Sequence, residues 1–456
     1  MYHVMHSDAL EALRELPDCS VDSIVTDPPA GIGFMGRNWD SDKGGRDRWI
    51  RWLADIMREC LRVLKPGGHA LVWALPRTSH WTATAVEDAG FEIRDVVMHL
   101  FGSGFPKSLN VSKAIDDVAG VAPTVIGSRM LTGTAAMSTE EKGGTYVAGS
   151  GARAGATKEV PITVPTSDLA RQWSGFGTAL KPAAEHWILA RKPLVGTVAR
   201  NVLEYGTGAL NVDGCRIGMT DADADAINAK HAGMDVAAYE REAGTSLQLS
   251  ADPMPLKAAS AHALGRWPAN VTLDPEAAAM LDEQSLAGGM HGAGKARDAS
   301  EGTHTAGTAT ILGANLGGPA PRFGDSGGAS RFFYVAKPST REREAGCEGL
   351  PRKGAAELTD REEDTDGLKS PRAGAGRTSA GRANHHPTVK SIALMRWLVR
   401  LITPPGGLVL DPFCGSGTTG CAAVLEGMHF IGVDQSDEYV AIATARIGHW
   451  EAQHVA

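Results

Sequence analysis

The chain of 456 residues has little cysteine and no long apolar run. Its six cysteines, at 19, 60, 215, 347, 414 and 421, form no C-x-x-C pair, and its fifteen histidines are equally dispersed. No zinc-ligand spacing appears, and at this size and density a secreted disulfide framework is disfavoured. No apolar stretch reaches the roughly 18 residues that a membrane helix needs. The opening residues Met1 to Asp8 lack a signal-peptide layout. A soluble cytoplasmic protein, with no metal and no membrane contact, is therefore expected. Basic charge is also scarce, with 45 Lys and Arg against 53 Asp and Glu and a net charge of −8. That sum disfavours a protein that coats polyanions generically but leaves room for a local basic groove.

Glycine, by contrast, is abundant: 55 of 456 residues, about 12% where roughly 7% is usual. Because glycine weakens helices and strands, the excess belongs in loops and linkers. The remaining composition, 43% hydrophobic and 21% charged, is that of a folded chain.

Three zones follow. In residues 1–120, a strand over Ser20 to Thr26 ends at Asp27-Pro28-Pro29. A helix over Trp49 to Leu64 carries apolar residues at helical spacing, and Lys65-Pro66-Gly67-Gly68 turns it into a strand over His69 to Leu75. This strand–helix–strand rhythm predicts a mostly parallel, doubly wound α/β sheet. Residues 121–380 are rich in Gly, Ser, Thr and Ala, with ordered islands at Ala183 to Leu194, Asn201 to Ile217, Gly265 to Leu273 and Arg331 to Ala336. They predict a large insertion with long loops. In residues 381–456 the α/β pattern resumes, with a helix over Ile392 to Ile402 and the strands Leu408 to Leu410 and His429 to Val433. The two ends of the chain are expected to build one sheet.

Two loops carry chemistry. In Asp411-Pro412-Phe413-Cys414-Gly415-Ser416-Gly417-Thr418-Thr419, glycines allow a tight turn, and the helix opening at Thr418 points free N–H groups at a ligand. Asp434, at the next strand end, is placed to bond a ribose. Neither Gly-Lys-Ser/Thr nor the third dinucleotide glycine is present, so a nucleoside without pyrophosphate, S-adenosylmethionine foremost, fits better. Alone, such a loop is also an ordinary strand-to-helix turn. In Thr26-Asp27-Pro28-Pro29-Ala30, the prolines fix the backbone and leave rigid carbonyl acceptors, to which Asp27 adds a carboxylate. Together they can grip both hydrogens of an exocyclic amine and aim its lone pair at an electrophilic methyl.

The combination resembles the β-class DNA amino-methyltransferases of bacterial and phage type. The resemblance rests on Ser7-Asp8-Ala9-Leu10, Leu16 to Asp22, Thr26-Asp27-Pro28-Pro29, Leu61 to Gly68, Gly102-Ser103-Gly104-Phe105-Pro106-Lys107-Ser108, Asn384-His385-His386-Pro387-Thr388-Val389-Lys390 and Asp411 to Thr419. Those blocks cover roughly residues 1–120 and 384–450, with the catalytic block first and the cofactor block last, the order that defines the β class. The resemblance implies the fold of class I S-adenosylmethionine-dependent methyltransferases in permuted order, with target recognition in the insertion. Asp27, Pro28 and Pro29 would hold the amine. Asp411, Phe413, Gly415, Gly417 and Thr418 would line the cofactor pocket, with Asp434 on the ribose and Asp8 at the adenine edge. Pro387, Thr388 and Lys390 would pack against the methionine end. Double-stranded DNA with a flipped base would be the partner, in a prokaryotic or phage-infected cell, and the family also admits homodimers and cognate restriction enzymes.

Two positions depart from the family pattern. Ala30 replaces the aromatic residue that usually stacks on the base, so Phe34 and Trp39 become the stacking candidates, alongside a packing role for both. Ser391 replaces a proline, which alters a turn. Lys107, Lys113, Lys181, Arg191 and Lys192 are candidates for phosphate contact, or else solvated surface. Trp173, Trp187 and Trp267 are expected as core anchors, and Cys414 as a packing residue. Adenine N6 is the favoured target, because an Asp opening this motif is typical of adenine enzymes in the family. Cytosine N4, a protein glutamine or RNA substrate, and an inactive DNA-binding relative are the alternatives. Residues 220–283 hold eleven acidic and four basic residues, so the acidity is local to a segment expected away from DNA.

Overall fold

A computed structural model describes residues 1–34, 38–104, 106, 108–132, 157–232, 262–287, 328–337, 341–354, 357 and 381–455. The strands are β1 (Tyr2–His6), β2 (Val21–Thr26), β3 (Leu64–Ala74), β4 (Glu92–Leu100), β5 (Thr124–Thr132), β6 (Thr157–Val164), β7 (Ala184–Arg191), β8 (Val271–Leu273), β9 (Tyr334–Val335), β10 (Leu408–Asp411) and β11 (His429–Asp434). The helices are α1 (Ala9–Glu15), α2 (Arg46–Val63), α3 (Ser79–Asp88), α4 (Val111–Val118), α5 (Asp168–Gln172), α6 (Val198–Tyr205), α7 (Asp221–Ala232), α8 (Pro275–Ala287), α9 (Ile392–Ile402), α10 (Thr418–Leu425) and α11 (Asp437–Val455). One compact unit comprises Met1–Asn211, Asn270–Glu276 and Ala336–Ala456, and a second comprises Val212–Ala269 and Ala277–Val335.

The first unit is α/β, built on a sheet of order β1-β11-β10-β2-β3-β7-β4-β8. β1 pairs with β11, β11 with β10, β10 with β2 and β2 with β3, all parallel. The two chain ends thus interleave in one sheet, as expected, because β10 and β11 slot between β1 and β2. Alternate residues divide the strands between two faces. Ile24, Ala70, Val72 and Leu410 join the apolar cluster of α1, α2 and α3. Ser23, on the other face, shares a 2.7 Å hydrogen bond with Thr403 just after α9. Helix α2 buries Trp49, Leu53, Met57 and Cys60 completely, at helical spacing, each large side chain contributing about 1.5–3 kcal/mol.

Three expectations change. Lys65-Pro66-Gly67-Gly68 is no turn between elements but an irregularity inside β3, where the register with β2 jumps from Val21↔Leu64 to Ser23↔His69. Gly67, at φ +74, leaves no room for a Cβ beside Asn201. The boundary that composition draws at residue 121 also differs from the compact unit. β7 lies between β3 and β4, antiparallel to both, so it belongs to the central sheet. Its reversed direction disguised it, since the rhythm at the N-terminus announces parallel strands. Finally, Trp187 is fully buried, but Trp173 is 42% and Trp267 67% exposed. Trp173 packs edge-on against Phe176, and Arg216 lies over the Trp267 ring.

In the second unit the half-buried Asp223 meets Arg266 at 2.9 Å and Arg331 at 3.2 Å. Among the described residues, no helix is long and apolar enough to cross a membrane.

Candidate active site

β2 and β10 are adjacent and parallel, with Leu410 beside Ile24, so the loops that leave their carboxyl ends lie side by side. Both line one cavity of about 1420 Å³ in the first unit. Its wall includes Asp27, Pro28, Pro29 and Ala30 from the first loop and Asp411, Phe413, Gly415 and Thr418 from the second. Asp434, Asp8, Thr388, Lys390, Phe34, Trp39 and Lys181 also line it. Gly417 and Pro387 do not face it. A Cβ on Gly417 would collide with Ala443 at 2.8 Å, and one on Gly415 with the His386 ring at 2.7 Å. These glycines therefore admit neighbouring protein, a packing demand that the glycine pattern alone does not separate from ligand approach.

The second loop is held from three sides. Asp411 accepts from Thr26 Oγ1 and Thr419 Oγ1, both at 2.6 Å, and from the Phe413 amide at 3.1 Å. Asp434 accepts the amides of Gly415 and Ser436 at 2.9 Å each. Arg446, fully buried on α11, donates to Ser416 and Thr418 from beneath. Burial raises the carboxyl of Asp434 above its ordinary value, against those two amide bonds. It also keeps the Cys414 thiol protonated, as befits a packing residue.

The first loop is braced by Asp40, itself buried. Its carboxylate accepts the amides of Gly31 (2.9 Å) and Phe34 (2.7 Å). That fixes a turn in which Gly31 stands at φ +70, against the Trp49 ring. Phe34 and Trp39 are thereby presented to the cavity, while Ala30 offers only a methyl there.

Lys390 joins the first loop to β7. Its Nζ is 3.3 Å from Asp27 Oδ2, 3.5 Å from Glu185 Oε2 and 4.1 Å above the Trp73 ring. Burial pushes the Asp27 carboxyl up to about 6, although Lys390 pulls it down. Burial opposes the charge on Lys390, but Asp27 and Glu185 outweigh it and keep the ammonium above its ordinary pKa. His386, beside the glycine loop, is pushed down to about 3 by burial and by Arg343, and is neutral.

The remaining cations divide. Lys113 is exposed on α4, and Lys181 donates to the Gly102 carbonyl at 2.7 Å. Arg191 forks onto Glu92 at 2.6 and 3.1 Å, and Lys192 donates to the Leu64 carbonyl at 2.7 Å. The structure gives these last two protein partners instead of an open phosphate site. Lys107 lies outside the described residues. Sequence reasoning missed Glu185, Asp40 and Arg446. Only Asp40, next in sequence to the stacking candidate Trp39, left a local signal.

The cavity's two loops coincide with what comparison with known proteins finds. The pattern of a family described as DNA methylase matches residues 21–110 and 353–445. The DNA adenine methyltransferase YhdJ of Escherichia coli K12 is 39% identical over 75 residues, 16% of this chain and 26% of its own length. The type II methyltransferase M2.DpnII of Streptococcus pneumoniae is 45% identical over 65 residues, 14% of this chain and 24% of its own. The chain thus spans about a quarter of the length of these curated relatives. Among solved structures, the PvuII cytosine-N4-specific DNA methyltransferase aligns over 98% of this chain and 86% of its own, at 12% identity and a TM-score of 0.39. The two segments that match the DNA methylase family carry both loops of the cavity, residues 26–30 in the first and 411–418 in the second.

Proposed function

We propose that this chain is an S-adenosylmethionine-dependent DNA methyltransferase that methylates the exocyclic amine of a flipped base, adenine N6 in particular. The observation that carries the reading is the meeting of Asp27-Pro28-Pro29 and the 411–418 loop in one cavity, at the carboxyl ends of adjacent parallel strands, where open α/β sheets bind ligands. At about 1420 Å³ it exceeds the roughly 300–1,000 Å³ of ordinary small-molecule sites, leaving room for a nucleoside cofactor and a base together. The donor set suits that cofactor. Asp434 and Asp8 offer carboxylates, Phe413 and Trp52 an aromatic wall, and the opening of α10 free amides. The family's adenine-specific relative and the Asp that opens the motif both favour N6.

When bound, S-adenosylmethionine supplies an electrophilic methyl. The chain's own part is to bind, orient and exclude water. Asp27 and the Pro28 carbonyl accept the two N–H bonds of the amine, which returns its lone pair from the ring to nitrogen and aims it along one line. Phe34 and Trp39, presented by the Asp40-braced turn, take the stacking role that Ala30 cannot fill. Holding a base outside its stack requires such a surface, and base–aromatic stacking gives about 1–3 kcal/mol.

The test is transfer of labelled methyl from S-adenosylmethionine to unmethylated DNA, RNA and protein, followed by digestion and identification of the product. N6-methyladenine in DNA is expected. N4-methylcytosine would correct the base, and label confined to protein or RNA would overturn the reading.

A further inference from the structure

We infer that Lys390 and Glu185 act as a positioning pair on Asp27: Lys390 occupies one carboxylate oxygen so that the other alone faces the amine, and Glu185 restores the negative charge that Lys390 removes. This rests on the methyl-transfer reading of the site.

The geometry comes from three separate elements: Asp27 follows β2, Glu185 lies on β7, and Lys390 precedes α9. Lys390 Nζ approaches Asp27 Oδ2 at 3.3 Å and Glu185 Oε2 at 3.5 Å, and its side chain is only 13% exposed. The Trp73 ring beneath it, 4.1 Å from Nζ, bars retreat in that direction and favours the cation. An ammonium has three donors and no acceptor, so the oxygen it faces is committed. No donor among the described residues bonds Asp27 Oδ1. One free oxygen beside the Pro28 carbonyl matches an amine with two hydrogens. A freely turning carboxylate would offer the amine two competing geometries.

The charge count explains Glu185. Asp27 and Lys390 alone sum to zero, and a bare ammonium would then oppose the positive charge that grows on nitrogen during the reaction. With Glu185 the trio is −1, which favours that charge at short range in a site of low dielectric. As the amine nitrogen bonds the methyl carbon, the carbon–sulfur bond breaks and sulfur keeps the electron pair. The methylated nitrogen then carries +1 until it loses a proton, for which Asp27 Oδ1 is the adjacent acceptor. Other groups acting here are Asp40 and Asp411, which bear on Asp27, and His99 on β4. The His99 ring shares a 2.9 Å hydrogen bond with Thr272, and burial keeps it neutral.

Asn substitution tests the clamp in a way that a structural role does not mimic. In Asp27→Asn, Lys390 draws the amide oxygen to itself and turns the NH2 towards the substrate amine, so donor meets donor. Transfer should fall about 10³-fold. In the double variant Asp27→Asn with Lys390→Met, the amide is free to turn its oxygen to the amine, and activity should recover at least about tenfold over Asp27→Asn alone. Lys390→Met by itself should lose about 10–100-fold in kcat, with KM for S-adenosylmethionine changed less than about threefold. Carboxyl carbon NMR of the cofactor-free protein should show Asp27 titrating at higher pH in Lys390→Met and at lower pH in Glu185→Gln. A double variant as inactive as Asp27→Asn, or an Asp27 titration indifferent to Lys390, overturns the proposal. Should the titration move as expected while wild-type protein methylates nothing, the ion-pair clamp stands and the reaction assigned to the site falls.

Discussion

Asp27 and Asp411 make a natural pair for comparison. They end neighbouring strands, face the same cavity, and are each pushed by burial from an ordinary 3.8 up to about 6. Their hydrogen bonding separates them. Both oxygens of Asp411 are engaged, Oδ1 by the Thr26 hydroxyl and the Phe413 amide and Oδ2 by the Thr419 hydroxyl, whereas Asp27 has one lysine and an open oxygen. Equal desolvation therefore serves different ends: a carboxylate whose two oxygens are both held by the protein braces the loop, and one with an open oxygen can hold a substrate. A perturbed carboxyl in a cleft marks a functional candidate, but its unfilled lone pairs decide the role.

The largest expected effect is on transfer. Asp27→Ala should lower methyl transfer about 10³-fold or more while leaving the thermal midpoint and S-adenosylmethionine affinity near wild type, checked by transfer assay, thermal melt and calorimetry. Retained turnover would remove Asp27 from the chemistry. Asp411→Ala should show the opposite profile. It strands the hydroxyls of Thr26 and Thr419 and the Phe413 amide in a buried setting, so stability should fall by about 2–4 kcal/mol and cofactor affinity with it. Urea unfolding reads the first loss and calorimetry the second.

That contrast was only half legible in the sequence. Both aspartates stood out because each opens a proline-containing loop after a buried strand, and such loops lie at the ligand end of a parallel sheet. The interleaving of the two chain ends was legible too, since strand–helix periodicity resumes at residue 384. What surrounds each carboxylate was not. Thr26 reaches Asp411 across 385 positions, and Lys390 reaches Glu185 across 205. No spacing rule joins such residues, because only strand order brings them together. β7 was foreseen as an ordered island but not as a central antiparallel strand, and with it went Glu185. Arg191 and Lys192 looked like a basic cluster because charge is visible in sequence, while partners such as Glu92 and the Leu64 carbonyl are not.

The pH dependence follows from the same pair. Asp27 must be ionised to accept the amine, and its folded pKa is raised to about 6, so transfer should be flat above that value. Below it, the rate should drop about tenfold per pH unit. For stability the sign is that of a raised carboxyl. The folded chain holds the proton more tightly than the unfolded one, so the stabilisation that protonation brings is complete below pH 3.8 and is lost as pH rises to about 6. A rate profile from pH 5 to 8 checks the first statement. A rate that stays flat down to pH 5 would show that Asp27 titrates as an ordinary surface carboxyl.

The finest test separates the two aspartates by a single hydroxyl. Thr26→Val keeps the shape of the β2 end but removes the 2.6 Å donor to Asp411 Oδ1, leaving Thr419 and the Phe413 amide in place. A hydrogen bond to a charged acceptor is worth roughly 1.5–3 kcal/mol, and the remaining donors offset part of its loss. Stability should therefore fall by about 1–2 kcal/mol, less than in Asp411→Ala. Thr26 is the residue immediately before Asp27, so the same variant asks whether the two carboxylates are energetically joined. If Asp411 only holds the loop, kcat should stay within about twofold of wild type at 25 °C, because Asp27 keeps Lys390 and its open oxygen. A collapse of kcat with stability unchanged would place Asp411 in the chemistry and erase the distinction drawn between them.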